Sequence, residues 1–215
     1  MKSYSQYSQD LVVLELLEFK QNGYFLDIGC SHPIKFSNTY VLEKNYNWNG
    51  LCVDAVDHTE LYAKERKCIF ENAVIHTHTG ITDFRRTNGI DDHYMLSSVV
   101  DDRVESINRD TRNSKIIKTK CITFKDLFSK YNVPKSIDYM SVDVEGAEFL
   151  VLNNFPFDEF IVSIITFEAA TTISSFHKEK AKKIECLLKQ NGYFFIKSLA
   201  HDFLFVHESL KFNNI

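Results

Sequence analysis

Four acids close four apolar runs in this chain: Asp27 within Tyr24-Phe-Leu-Asp-Ile28, Asp54 after Leu51-Cys-Val, Asp143 after Ile137–Val142, and Glu168 after Phe160–Phe167. Apolar runs of this length bounded by turns read as buried strands. Ligands of open α/β sheets sit outside the carboxyl ends of such strands. Carboxylates gathered there can accept hydrogen bonds from ribose hydroxyls, take a proton from a substrate, or ligate a hard cation such as Mg²⁺ or Mn²⁺. Glu145 stands two residues beyond Asp143 and joins the candidates. Gly29 follows Asp27-Ile28 and lets the backbone approach a ligand closely.

Strands and helices alternate in the order needed to bring these ends together. Asp10–Phe19 reads as a short helix within an N-terminal segment of residues 1–22, and Asn22-Gly23 turns the chain into the strand Tyr24–Ile28. A helix over Asn38–Asn47, the strand Leu51–Asp54, a helix over Asp57–Arg66 and the strand Cys68–Val74 follow. Ile81–Arg85 has strand character, whereas residues 86–120 read as a long polar substrate loop. Thr123 caps a helix over Phe124–Tyr131. Next come the strand Ile137–Val142, a helix over Glu145–Asn153, the strand Phe160–Phe167, and a long helix opened by Thr172 and ended by Asn191-Gly192. Two short strands, Tyr193–Ile196 and Phe203–Val206, predict an antiparallel edge. The fold class is α/β, one domain over 1–215, with a mainly parallel sheet and helices on both faces.

Composition removes several function classes. A net charge of −4 argues against binding nucleic acid by bulk electrostatics. The basic stretch Arg103, Arg109, Arg112, Lys115, Lys118 and Lys120 reads as a solvated face or as a contact for an anionic substrate. Five cysteines without C-x-x-C spacing fit reduced thiols in a cytoplasmic setting. The polar N-terminus has no signal-peptide pattern, and no apolar run is long enough to span a bilayer.

The first turn separates cofactor types. A dinucleotide fold needs G-x-G-x-x-G to seat pyrophosphate on a helix N-terminus, and here Gly29 is followed by Cys30-Ser-His-Pro-Ile-Lys-Phe36 with no further glycine. A cofactor without phosphates, such as S-adenosylmethionine, fits better. Asp27-Ile-Gly29, Ser37-Asn-Thr39, Trp48-Asn-Gly-Leu51, Asn72-Ala73 and the run Asp143-Val-Glu-Gly-Ala-Glu148 together resemble the FkbM-type S-adenosylmethionine-dependent methyltransferases. Tyr4-Ser-Gln-Tyr-Ser-Gln-Asp10 is similar to the polar S-Q-x-x-Q-D segment of that family. The likeness spans residues 5–192. Its most specific part is the D-V-E-G-A-E run. Cys30-Ser-His-Pro33 departs from it, since the family often has Ala and a further Gly at this turn.

That resemblance implies a class I methyltransferase fold, with seven strands and an antiparallel last one, and methyl transfer to a hydroxyl of a sugar, glycan or related small molecule. It implies that Asp27, Gly29, Cys30 and Ser31 line the methionine end of the cofactor, with Asn38 among its contacts. Asp54 would hold the ribose, Ala55, Asn72 and Ala73 the adenine, and Gln9 and Asp10 the entrance. Asp143, Glu145 and Glu168 are the groups available as base, with Asp143 and Glu168 as metal ligands. Histidine bases are His32 and His93; His93 lies in the long loop with Tyr94 and Ser97-Ser98, near the substrate. Two other readings stay open: an RNA methyltransferase anchored by the basic stretch, and a non-catalytic cofactor-binding module. A piece of a larger glycan-assembly polypeptide would fit sugar methylation.

Overall fold

The structure, a computed structural model, describes residues 1–87, 97–100, 114–169 and 175–210. In chain order the elements are α1 (Gln9–Leu16), β1 (Tyr24–Ile28), α2 (Tyr40–Tyr46), β2 (Asn49–Asp54), α3 (Thr59–Glu65), β3 (Ile69–Asn72), β4 (Val74–Ile75) and β5 (Gly80–Thr87). Then come β6 (Ser98–Val99), β7 (Ser114–Ile122), α4 (Phe124–Tyr131), β8 (Ser136–Val142), α5 (Glu148–Asn153), β9 (Ile161–Glu168), α6 (Ser175–Gln190), β10 (Tyr193–Leu199) and β11 (Asp202–His207).

Seven strands form the main sheet in the order β10-β11-β9-β8-β1-β2-β3. β3, β2, β1, β8 and β9 are parallel neighbours, while β11 runs antiparallel to both β9 and β10. The sheet is thus mixed, and its last strand in chain order is the reversed one. The last two strands form the antiparallel edge expected from the sequence, with β10 at the rim and β11 inside it. Leu204, Phe205 and Val206 are fully buried, whereas β10 exposes Phe194 and Phe195. An apolar β11 gains more between two neighbours than at a rim, so α6 carries β10 outward and the chain doubles back inside it.

Alternation along the central strands divides the core. Leu26, Ile28, Met140, Val142, Ile165 and Phe167 face α4, α5 and α6, while Phe25, Cys52, Tyr139 and Ile164 face α1, α2 and α3. Burial on both faces explains why these strands read as continuous apolar runs.

A second sheet, β4-β7-β5-β6, corrects two expectations. The strand expected over Cys68–Val74 breaks at Ala73, so β3 ends the main sheet and β4 pairs with β7. Residues 114–120, expected within a loop, belong to β7, which pairs antiparallel with β5 from Gly80↔Cys121 to Thr87↔Ser114. Ile116, Ile117 and Thr119 carried the strand signal, but the lysines between them on a largely exposed ribbon hid it. The expected helix over Glu145–Asn153 begins at Glu148, because Glu145 (φ 55°) and Gly146 (φ 109°) turn the backbone left-handed. The helix start placed at Thr172 lies outside the described residues. Trp48 is buried and donates from its indole to the Lys20 carbonyl at 2.8 Å, whereas Phe36 is exposed.

α2 and α3 are tied by a buried charge. The Arg66 guanidinium donates to Glu43 Oε2 at 2.9 Å, to the Pro33 carbonyl at 2.8 Å, and to the hydroxyls of Ser37 and Thr39. Both charged side chains are almost fully enclosed, at 0% and 2% exposure. Removing one partner leaves the other charge unpaired in a low-dielectric interior. We expect Arg66→Met to lower unfolding free energy by about 3–5 kcal/mol in urea titrations, and Arg66→Met with Glu43→Leu to recover part of that loss.

Candidate functional site

β1 and β8 lie side by side, and the chain leaves β1 toward β2 and β8 toward β9, so the sheet's switch point falls between them. There the two turns nearly touch. Gly29 has φ +83°, and a Cβ added to it would lie 1.7 Å from the Asp143 carbonyl oxygen. The sequence assigned this glycine to close approach of a ligand; the structure shows that the backbone it admits is the β8 turn. Hydrogen bonds from Gly29 N to the Val53 carbonyl (2.8 Å) and from Asp143 N to the Ile28 carbonyl (2.9 Å) hold the junction.

An open cleft lies over this junction. Gly29 and Ser31 line it from β1, Asp54, Ala55, Val56 and His58 from β2, and Ala73, Val74 and Ile75 from the β3–β4 break. Phe84, Ser97 and Val99 of the second sheet close one side, and Asp143, Val144, Glu145 and Ala147 another. Apolar walls with a few convergent carboxylates suit a nucleoside with polar extensions.

Asp54 is positioned by backbone donors: Ser31 N at 2.8 Å on one oxygen and Val56 N at 2.8 Å on the other. Burial pushes its carboxyl above the ordinary range, and these two amides oppose the shift. Asn72 does not line the cleft. Its amide donates to the carbonyls of Asp54 and Ala55 at 3.0 and 3.1 Å, fixing the turn that does.

Other predicted contacts sit behind the cleft. Asp27 faces the opposite side of the sheet, buried, and accepts a 2.7 Å bond from the Thr39 hydroxyl. Period-two alternation on β1 puts Ile28 under the cleft and Asp27 away from it. Cys30 is buried in the same layer. Asn38 donates to Ser141 Oγ at 2.9 Å. Gln9 donates to Asp202 Oδ2 at 2.6 Å, and Asp10 accepts from Ser3 Oγ, Ser5 Oγ and Tyr4 N, binding the N-terminal segment to itself. His32 Nδ1 accepts from the amides of Ile34 and Lys35, so it caps a turn. His93 and Tyr94 lie outside the described residues, as do Arg103, Arg109 and Arg112.

An acid cluster stands at the end of β8. Carboxylate oxygens of Asp143, Glu148 and Glu168 all lie within 4.8 Å of one another. Asp143 opens onto the cleft. Desolvation at the cleft floor, then the charges of Glu168, Glu145, Asp202 and Glu148, push its carboxyl well above the ordinary range. Glu148 is fully buried, accepts from Gly146 N (2.9 Å) and Val144 N (3.3 Å), and forms an ion pair with buried Lys180. Its oxygens are committed, so a cation would fall to Asp143 and Glu168 alone.

Sequence reasoning missed Lys180, Asp202 and the half-buried Tyr7. Burial, then Asp202, Glu168 and Asp143, raise the titration of the Tyr7 phenol. Glu148 was visible in the D-V-E-G-A-E run, but nothing local connects it to Lys180 on a later helix.

The family described as "Methyltransferase FkbM domain" matches residues 27–195. No curated protein matches the chain. Similar solved structures include one described as a ribosomal RNA methyltransferase from Plasmodium falciparum, 15% identical, covering 95% of this chain and 97% of that one at a TM-score of 0.46. Another is a precorrin-6y C5,15-methyltransferase from Geobacter metallireducens, 11% identical, covering 95% and 91% at a TM-score of 0.44.

Burial, with Cys52 adding to it, pushes the Asp27 carboxyl up to about 7, against the opposing Thr39 hydroxyl. A folded-state value raised above the ordinary 3.8 makes its contribution complete at low pH and lost as pH rises toward 7. Asp27→Asn removes that titration. Between pH 4 and 7.5 we expect the variant to gain stability relative to the wild type, by up to about 4 kcal/mol in denaturant titrations at each pH. A pH-independent difference would exclude a buried titrating carboxyl.

Proposed function

The chain belongs to the FkbM methyltransferase family, and we propose that it is an S-adenosylmethionine-dependent O-methyltransferase acting on a hydroxyl of a sugar, glycan or related small molecule. The observation that carries this reading is that one cleft is bounded both by the Gly29–Ser31, Asp54–Ala55 and Ala73 segments and by the acids Asp143 and Glu145. When bound, S-adenosylmethionine supplies a methyl group already activated by its sulfonium. The residues present fit such a ligand. Asp54 offers carboxylate oxygens to ribose hydroxyls, Ala55, Val56, Ala73 and Val74 form an apolar wall for adenine, and Asn72 holds that wall in place. Gly29 and Ser31 border the methionine end, with Asp27, Cys30 and Asn38 supporting from behind.

A sugar hydroxyl is a weak nucleophile at neutral pH, so the protein must align it and accept its proton. Asp143 suits that task. It faces the cleft, and desolvation with the neighbouring acids raises its affinity for a proton above that of an ordinary carboxylate, as a general base requires. With the cofactor held against Gly29, Ser31 and Asp54 as the source of the methyl group, the Asp143 carboxylate would take the proton of the acceptor hydroxyl. Glu168, Glu145 and Asp202 tune Asp143, and Gln9 orients Asp202. Asp143 and Glu168 could also hold Mg²⁺ or Mn²⁺ against the acceptor hydroxyl. The negative charge gathered here disfavours a polyanionic acceptor such as RNA.

We expect S-adenosylmethionine to bind in calorimetric titration, and Asp54→Asn to weaken that binding at least tenfold. Asp143→Asn should leave cofactor affinity within a few-fold and reduce methyl transfer to a responsive sugar by about 10²–10⁴-fold. The base must be deprotonated, so the acid limb of the wild-type rate profile should lie above the usual carboxylate range. Loss of transfer on adding chelator would assign the metal role. Full activity in Asp143→Asn would remove that residue from the chemistry.

A further inference from the structure

The second sheet carries a cluster that methyl transfer does not use. His76 follows β4, His78 lies in the turn before β5, and Cys121 is near the end of β7. His76 Nδ1 lies 3.0 Å from His78 Nδ1, and Cys121 Sγ lies 3.4 Å from His78 Nε2. One ligand atom from each residue falls within 4.8 Å of the others. The approach is built into the fold. His76 N donates to the Ile122 carbonyl at 3.0 Å, which pins the histidine beside β7, and the register Gly80↔Cys121 brings the His78 turn over the same point.

Two imidazoles and a thiolate are common zinc donors, and tetrahedral bonds of about 2.0–2.3 Å place donor atoms about 3.3–3.7 Å apart. The two short contacts use different nitrogens of His78, of which one ion would take one; with one ligand atom from each residue the three lie within 4.8 Å of one another, and side-chain rotation would close them to those edges. His76 and Cys121 are buried while His78 is exposed, so the site has a firm base, a path from solvent, and room for a water as fourth ligand. Soft thiolate with imidazole selects zinc-like ions over Mg²⁺ or Mn²⁺, which prefer oxygen. None of the three residues lines the cleft, so this site is separate from the carboxylates around Asp143.

We propose that His76, His78 and Cys121 bind one zinc-like divalent cation, which ties β4, the turn before β5 and β7 together. Ile75 and Phe84, which these elements carry, form part of the cleft wall, so the ion would stiffen the side of the cleft that meets the acceptor. Burial pushes the Cys121 thiol up, so binding should release a proton as the thiolate forms.

The test uses untagged, metal-free full chain titrated with Co²⁺. The expected result is one equivalent bound with a thiolate-to-cobalt charge-transfer band and the visible bands of a tetrahedral site, both displaced by Zn²⁺. Zn²⁺ at a hundredfold excess over its Kd should raise Tm by roughly 5–10 °C. Cys121→Ser should abolish the charge-transfer band. His78→Ala, at an exposed position that folding does not depend on, should weaken binding at least tenfold. Absence of the band in the wild type, or its persistence in Cys121→Ser, would overturn the proposal. S-adenosylmethionine affinity measured in the same variants reads the donor site independently, so failure of one reading leaves the other standing.

Discussion

The rest of the molecule depends on how closely Gly29 approaches the Asp143 carbonyl. No residue with a Cβ fits there, because the added atom would overlap backbone, which cannot rotate away. This contact closes the seam between the two halves of the main sheet. It places the turn after β1 and the turn after β8 on one floor, so that a ligand lying over Gly29 also lies against Asp143. Asp54 and Ala73 on one side and Asp143 and Glu145 on the other owe their common cleft to the same junction. Substituting glycine would change the spacing between donor and acceptor groups before it changed any side chain that touches them.

The acid cluster then needs a reason to exist folded. Asp143, Glu145, Glu148, Glu168 and Asp202 repel one another, and desolvation adds to that cost. Lys180 and the amides of Val144 and Gly146 neutralise Glu148, the most deeply buried member, and Gln9 bonds Asp202. Desolvation and the neighbouring acids leave Asp143 with a raised proton affinity. The same arrangement divides the acids by surroundings: Glu148 and Asp202 are tied to a cation, amides or a side-chain amide, whereas Asp143 and Glu145 border the cleft.

Much of the main sheet was legible because strands buried on both faces write themselves as unbroken apolar runs, and β1, β2, β8 and β9 did so. The acids at Asp54 and Asp143 were found for the same reason, since each marks where such a run meets the cleft, and Glu168 ends the neighbouring run beside Asp143. Asp27 lay one residue out of phase: it precedes Ile28, and alternation turns it to the far side, toward Thr39. The second sheet was lost because β5 and β7 are an exposed ribbon whose charged residues mask their β-branched partners. Lys180 was unreadable, because its partner Glu148 lies on another helix and the pairing exists only once α5 packs on α6. Gln9 and Asp10 were noticed for their pattern, yet their hydrogen bonds build the N-terminal segment and orient Asp202.

The break at Ala73 links fold to specificity. A single apolar run here feeds two sheets: β3 completes the main sheet beside β2, and one residue later β4 joins β7. Ala73, Val74 and Ile75 therefore belong to the cleft while their neighbours on β5 and β6, Phe84 and Val99, approach it from the second sheet. The main sheet supplies Gly29, Asp54 and Asp143, whose positions are fixed by buried strands and backbone bonds. The second sheet is smaller, more exposed and attached through two short strands, so its register can vary without disturbing that floor. In the reading proposed above, the wall carrying Phe84, Ser97 and Val99 would meet the acceptor, while the floor of Gly29, Asp54 and Asp143 would hold the cofactor and the base.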